Sequence, residues 1–308
     1  MKVAWSRVWP ALTTQFKDDE RLDLAATERH MEALIEAGVG GLTVCGSVGE
    51  NYALTPEEKQ EVVRSAVKTA RGRVPVLAGV AELTTKLALD YMGAAENRGV
   101  DGFMVLPTLV YRPDARETML HFRTVARATR LPIMVYNNPV SYGGDVTPEM
   151  FAELSDEDNI VALKESSANV RRIADIRIAC GDRYVIFAGM DDIAIESVVA
   201  GAKGFVAGIV NAFPREVVCY FDLALAGSYE EAWAINRWLM PLQRLDNDPH
   251  FVHYMKFLQM MTGLGSEKVR RPRLELAGEE RARVEALVER ALATRPALPT
   301  VAVPRAAE

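Results

Sequence analysis

The 308-residue chain predicts an α/β protein, a (β/α)8 TIM barrel with a C-terminal helical extension. Three observations carry that expectation: short β-branched runs recur along the chain, helix-period stretches separate them, and glycine turns join helix ends to the next run. Recurring αβ turns imply parallel strands connected by crossover helices. Eight such strands with continuous apolar faces favour a closed barrel over an open sheet.

The elements follow in order. Strands are expected at residues 8–13, 41–45, 74–80, 102–106, 131–136, 160–164, 184–188 and 204–207, each a short run bounded by polar or glycine-containing turns. Helices are expected at 24–36, 56–70, 84–97, 113–129, 147–154, 169–179 and 191–200, where apolar residues recur with helical period. Thr55-Pro56-Glu57-Glu58 carries a capping hydroxyl, a first-turn proline and acids that suit the helix dipole, and Thr147-Pro148-Glu149 repeats the pattern. Ala37-Gly38-Val39-Gly40-Gly41, Arg98-Gly99-Val100-Asp101-Gly102 and Ala200-Gly201-Ala202-Lys203-Gly204 end helices through glycine, which adopts a left-handed cap at little cost. After the eighth strand the pattern is helical, at 214–226, 229–244, 249–261 and 278–294. The expected division is a barrel at 1–210, a helical extension of the same domain at 211–295 and a loose Pro- and Ala-rich tail at 296–308.

Composition narrows the function. A hydrophobic content of 49% can fill one large core, and a net charge of −6 without long like-charge blocks argues against nucleic acid and against an anionic membrane surface. No apolar stretch approaches the roughly 20 residues that span a bilayer, and residues 1–10 lack a signal-peptide apolar region. Three scattered cysteines, Cys45, Cys180 and Cys219, form neither a disulfide framework nor a zinc pattern. A cytoplasmic protein is expected. His250 and His253 are close but lack a carboxylate at ligand spacing, so no metal is expected there.

The residue that points to chemistry is Lys164, which closes the apolar run Val161-Ala162-Leu163-Lys164. A buried ammonium is costly, and an apolar setting lowers its pKa, which is how a lysine becomes a nucleophile near neutral pH. Tyr136 ends the preceding strand, 28 residues earlier, so a parallel barrel would bring the amine and the phenol out on one rim. The plain alternative is a snorkelling lysine and a packing tyrosine. The turn Gly46-Ser47-Val48-Gly49-Glu50 could offer backbone N–H groups and the Ser47 hydroxyl to a carboxylate, or be an ordinary βα turn. Thr13, Val48, Gly189 and Val206, at or near the carboxyl ends of strands, complete the candidate substrate-binding set. Asp191 and Asp192 open a helix and read as capping residues. There is no Gly-x-Ser-x-Gly elbow, no phosphate loop and no Gly-x-Gly-x-x-Gly after the first strand. Amine, phenol and anion-binding turn together suit a small 2-oxo acid or its cyclic imine, attacked by Lys164 to form a Schiff base while Tyr136 shuttles protons.

At these residues the chain resembles the dihydrodipicolinate synthase/N-acetylneuraminate lyase superfamily, through the Gly46 to Glu50 turn, Tyr136-Asn137-Asn138-Pro139, Leu163-Lys164-Glu165-Ser166, Gly189-Met190-Asp191-Asp192 and Gly201-Ala202-Lys203-Gly204. The resemblance covers about residues 5–295 and implies a class I Schiff-base enzyme without metal or cofactor, commonly a homotetramer. It implies that Lys164 forms the imine, Tyr136 shuttles protons, and Ser47 with the Val48 backbone cradles the carboxylate. Some positions depart from the synthase. Ser47 and Val48 stand where it has two threonines, and Ser141, followed by Tyr142, stands where it has an arginine for the second substrate's carboxylate. The stretch from Leu106 to Pro113 differs in length from the family's paired-tyrosine motif, which leaves open whether Tyr111 takes the place of a neighbour-subunit tyrosine.

The contexts Val44-Cys45-Gly46-Ser47, Phe213-Pro214-Arg215-Glu216, Arg237-Trp238 and Val269-Arg270-Arg271-Pro272-Arg273 resemble the subgroup that deaminates Δ1-pyrroline-4-hydroxy-2-carboxylate. Other expectations are a 2-keto-3-deoxy sugar acid aldolase or dehydratase, the synthase itself, or a non-catalytic keto-acid sensor. Val48, Val110, Val140 and Val206 predict an apolar rim, which favours a small substrate over a sugar acid.

Overall fold

The computed structural model describes residues 3–108 and 111–299. Val110, expected at the rim, and residues 300–308 of the expected tail lie outside the described residues. Among the described residues eight strands form one parallel sheet: β1 (Arg7–Pro10), β2 (Leu42–Val44), β3 (Val76–Val80), β4 (Gly102–Val105), β5 (Ile133–Asn137), β6 (Ile160–Glu165), β7 (Val185–Ala188) and β8 (Gly204–Ala207). Their order, β1-β8-β7-β6-β5-β4-β3-β2, is that of a barrel. It closes through the bridge between Ala11 and Thr43, and the Leu12 N–H donates to the Thr43 carbonyl at 2.9 Å. The (β/α)8 expectation holds.

Helices α1 (Leu24–Glu36), α2 (Pro56–Ala70), α3 (Thr85–Glu96), α4 (Ala115–Arg127), the short α5 (Pro139–Tyr142), α6 (Pro148–Glu153), α7 (Arg171–Cys180) and α8 (Ala194–Val199) alternate with the strands. The starts read from sequence are real caps. Thr55 and Glu58 form a reciprocal capping box, and the Thr147 hydroxyl accepts from the Met150 N–H. Four further helices follow β8: α9 (Pro214–Leu225), α10 (Tyr229–Gln243), α11 (Phe251–Met261) and α12 (Gly278–Ala293).

The core has two layers. Outward-facing strand residues such as Val44, Val105, Leu163 and Phe205 pack under the helices, whereas Trp9, Leu77, Met104, Met134, Ala162 and Phe187 fill the barrel interior. One irregularity decides what else points inward. Ile133 pairs with Ile160 but Met134 pairs with Ala162, so Val161 is an extra residue in β6. Beyond this bulge Tyr136 lies beside Lys164, and Lys164 beside Phe187. An unbulged register would have set Lys164 against Asn137, whose amide faces out toward Asp145 and the Val146 N–H. The bulge therefore turns the lysine into the barrel.

Candidate active site

A cavity of about 330 Å³ opens at the carboxyl ends of the strands, and Ser47, Val48, Tyr136, Lys164 and Gly189 all line it. Lys164 is buried, with Nζ 4.2 Å from the centroid of the Tyr136 ring. Burial brings its amine down to about 8, opposed by the negative fields of Asp246 and Asp191. An amine titrating there is part free base at neutral pH. Burial pushes the Tyr136 phenol up to about 12, while a hydrogen bond donated by Asn138 Nδ2 to its oxygen at 3.0 Å works the other way.

The turn after β2 is shaped by backbone. Cys45 and Glu50 bracket it with φ of 57° and 56°, left-handed values that non-glycine residues adopt at a cost. Its fold is fixed by the Glu50 N–H donating to the Ser47 carbonyl at 3.1 Å and the Asn51 N–H to the Gly46 carbonyl at 3.2 Å. Among the described residues no acceptor engages the Ser47 or Val48 N–H, so both remain available to an anion. The Ser47 hydroxyl bonds to that of Tyr142, whose ring stands edge-on to Tyr136 with centroids 5.9 Å apart. Burial raises the Tyr142 phenol well above its ordinary range.

Two candidate binding residues do not line this cavity. Thr13 lies beyond the end of β1, fully buried, with its hydroxyl donating to Gln259 Oε1 at 2.7 Å and its N–H to Asn211 Oδ1 at 3.3 Å. Val206 pairs with Trp9 and belongs to the same buried cluster inside the barrel. The apolar rim also needs correction. Val48 and Val140 line the cavity, but so do Asn138, Ser141, Asp246, Asn247 and Asp248. Asp191 does not cap its own helix; its carboxylate accepts from the Gly208 N–H at 3.1 Å and the Ile209 N–H at 2.6 Å, across the turn after β8. Tyr111 is exposed and outside the lining.

Sequence reading also passed over residues the fold delivers here. Tyr142 arrives on α5, a one-turn helix too short for periodicity to reveal, although Asn138-Pro139 marks its start: the Asn138 carbonyl oxygen of the side chain accepts from the Ser141 N–H at 2.9 Å. Asp246 arrives on a 3₁₀ turn, Arg244–Asn247, between α10 and α11, more than a hundred residues from Tyr136 and with no local signal. Among the described residues no group of three or more His, Cys, Asp or Glu side chains is placed to hold a metal ion, and no helix is long and apolar enough to cross a membrane.

The model of the dihydrodipicolinate synthetase family matches residues 4–291. The chain belongs to this family. It is therefore an enzyme of a class I lyase family. A 4-hydroxy-tetrahydrodipicolinate synthase of Methanococcus maripaludis is 31% identical over 282 residues, which are 90% of this chain and 96% of that one. Among solved structures, the 4-hydroxy-tetrahydrodipicolinate synthase of Methylacidiphilum fumariolicum SolV superposes with a TM-score of 0.89 at 29% identity, covering 94% of this chain and 96% of that one. A prophage protein of the dihydrodipicolinic acid synthase family from E. coli K12, solved in complex with pyruvate, gives 0.88 at 26% identity, covering 94% and 99%.

Proposed function

We propose that this family member deaminates Δ1-pyrroline-4-hydroxy-2-carboxylate, giving 2,5-dioxopentanoate and ammonia. The observation that carries the reading is the buried Lys164 amine over the Tyr136 ring, in a cavity also lined by Ser47 and Val48, whose N–H groups have no acceptor among the described residues. The substrate carboxylate is held at that turn. Its C2 imine carbon then faces the Lys164 amine, which adds to it and forms the protein-bound iminium. Tyr136 carries protons between the adduct and the leaving nitrogen, and the iminium draws off electrons as the proton on C3 departs. Loss of the 4-hydroxyl as water leaves a C3–C4 double bond; a proton then leaves C5 and another is gained at C3, which turns the C5 amine, through its enamine, into an imine, and hydrolysis of the two imines releases 2,5-dioxopentanoate, ammonia and the free lysine. Ser141 supports this choice over the synthase activity named for the relatives, because a neutral hydroxyl stands where the synthase grips a second carboxylate.

The polar lining of Asn138, Ser141, Asn247 and Asp248 favours one second reading, a 2-keto-3-deoxy sugar acid aldolase or dehydratase, whose substrate hydroxyls would use those groups. Purified protein given the hydroxypyrroline should release ammonia, measured by a coupled assay, and should release little pyruvate from sugar acids. Pyruvate without ammonia would reverse the order. A keto-acid sensor is disfavoured by the lowered amine, which mere recognition does not require. Homotetrameric assembly and a cytoplasmic location belong to the same reading. The exposed Tyr52, Leu83 and Tyr111 follow the adjacent strands β2, β3 and β4, so apolar groups collect on one side of the rim as a subunit contact would need.

A further inference from the structure

Two carboxyl groups act on the Lys164 amine, and the fold treats them differently. Asp191 is spent on backbone, with both oxygens accepting N–H bonds from the turn after β8. Asp246 lines the cavity, and its Oδ1 is sealed from solvent without a hydrogen-bond partner among the described residues. That oxygen packs on the end of β8 so closely that a Cβ built at Gly208 would lie 2.5 Å from it. The 3₁₀ turn that bears it is tied to the turn after β7 by Asn247 Nδ2, which donates to Asp192 Oδ2 at 3.0 Å. A carboxyl group that lines the same cavity as the amine, with one oxygen shut away from solvent and from hydrogen-bond donors, is poised to hold a proton and give it up to a ligand.

We propose that Asp246 is a further catalytic residue, the proton partner of Lys164 and the acid that protonates the hydroxyl leaving the imine adduct. The leaving-group half of this rests on the deaminase reading. Once the C3 proton has gone and the enamine has formed, the nitrogen lone pair rebuilds the C2 iminium. The C2–C3 pair moves to C3–C4, and the C4–O bond breaks with its electrons on oxygen. The Asp246 carboxyl supplies the proton that lets this oxygen leave as water and is itself left as carboxylate, which regains a proton from the water that later hydrolyses the imine. Burial pushes this carboxyl up to about 6, with Lys164 opposing and Asp192 adding to the rise. The charged or titratable groups that face it are Lys164, Tyr136, Tyr142, Asp191, Asp192 and Asp248.

The test uses the full chain with Asp246→Asn and, as a carboxyl-retaining control, Asp246→Glu. Borohydride trapping with pyruvate, read by intact mass across pH, reports both folding and the titration of Lys164. Because Asn removes a negative neighbour, the trapping midpoint should move to lower pH, while the maximal extent of trapping stays within about twofold. Ammonia release from the hydroxypyrroline should fall about 10²- to 10⁴-fold in the Asn variant and recover in part with Glu, and the alkaline fall of kcat should vanish with Asn. An unmoved pyruvate midpoint, or Asn turnover within threefold of the parent, overturns the proposal. If the parent itself releases no ammonia, the deaminase reading fails alone, and the pyruvate midpoint still decides whether Asp246 is the proton partner of Lys164.

Discussion

At the scale of single residues, the lysine shows how cost marks function. Lys164 ends an apolar run, and its interior position was legible because a charge seldom sits there without a purpose. Its amine falls from 10.5 to about 8 on burial, so between those values the unfolded chain binds more protons than the folded one, and stability rises with pH across that window. Below about 8 the full cost is present, on the order of a few kcal/mol. Lys164→Met is therefore expected to melt at higher temperature than the parent at pH 7, with the advantage shrinking toward pH 10.5, while losing all borohydride-trapped adduct. Thermal melts at several pH values check the first part and intact mass the second. A lower melting point at pH 7 would contradict the account. Tyr142 and Asp246 were not legible, since their significance comes from neighbours supplied by distant segments.

At the scale of elements, helices were read most closely. The bounds expected for α1 and α2 are those observed, because caps and period agree there, whereas six strands are shorter than their apolar runs, β8 has the expected bounds and β6 runs one residue further, to Glu165. The run through residues 8–13 shows why. The ladder to β8 stops at Pro10, only a single bridge to β2 follows at Ala11, and Thr13 turns to side chains of Gln259 and Asn211 that no local pattern announces. The β6 bulge is equally silent in sequence, since Val161 is as apolar as its neighbours, yet it decides the face on which Lys164 lies. The turn after β7 offers a direct test. A Cβ at Gly189 would fall 1.9 Å from Ser166 Oγ and 2.8 Å from the Glu165 carbonyl oxygen, so the end of β7 would have to part from β6. Gly189→Ala should cost about 1–3 kcal/mol in denaturant melts and depress pyruvate trapping. Wild-type values in both would show that the strand ends yield without consequence.

At the scale of the whole molecule, the helices after β8 hold the upper face of the barrel in place. Lys256 on α11 is fully buried, donates to Glu50 Oε1 at 2.9 Å and to the Thr14 carbonyl at 2.8 Å, and so fastens the far end of the Ser47 turn. The Arg270 N–H reaches the other Glu50 oxygen at 3.1 Å. Removing one member of a buried pair strands the other charge, so Lys256→Met is expected to lose about 3–5 kcal/mol in equilibrium unfolding. A loss under about 1 kcal/mol would mean that Arg270 and its neighbours suffice to hold Glu50. No local pattern announces this clasp, because its partners lie 206 residues apart.

Among the described residues the closure between β1 and β2 has one paired position, the Ala11 to Thr43 bridge, helped by the Gly40 N–H donating to the Val8 carbonyl at 2.7 Å, whereas β7 and β8 share two pairs and the other neighbours three or more. A cylinder with one weak join yields there first, and the Thr14 hydroxyl, bonded to the Gly49 carbonyl at 2.7 Å, carries any slack into the loop that bears Ser47. Breathing of the entrance can thus be confined to a single seam, leaving the β5–β6 ladder, where Tyr136 and Lys164 sit side by side, rigid while ligands come and go.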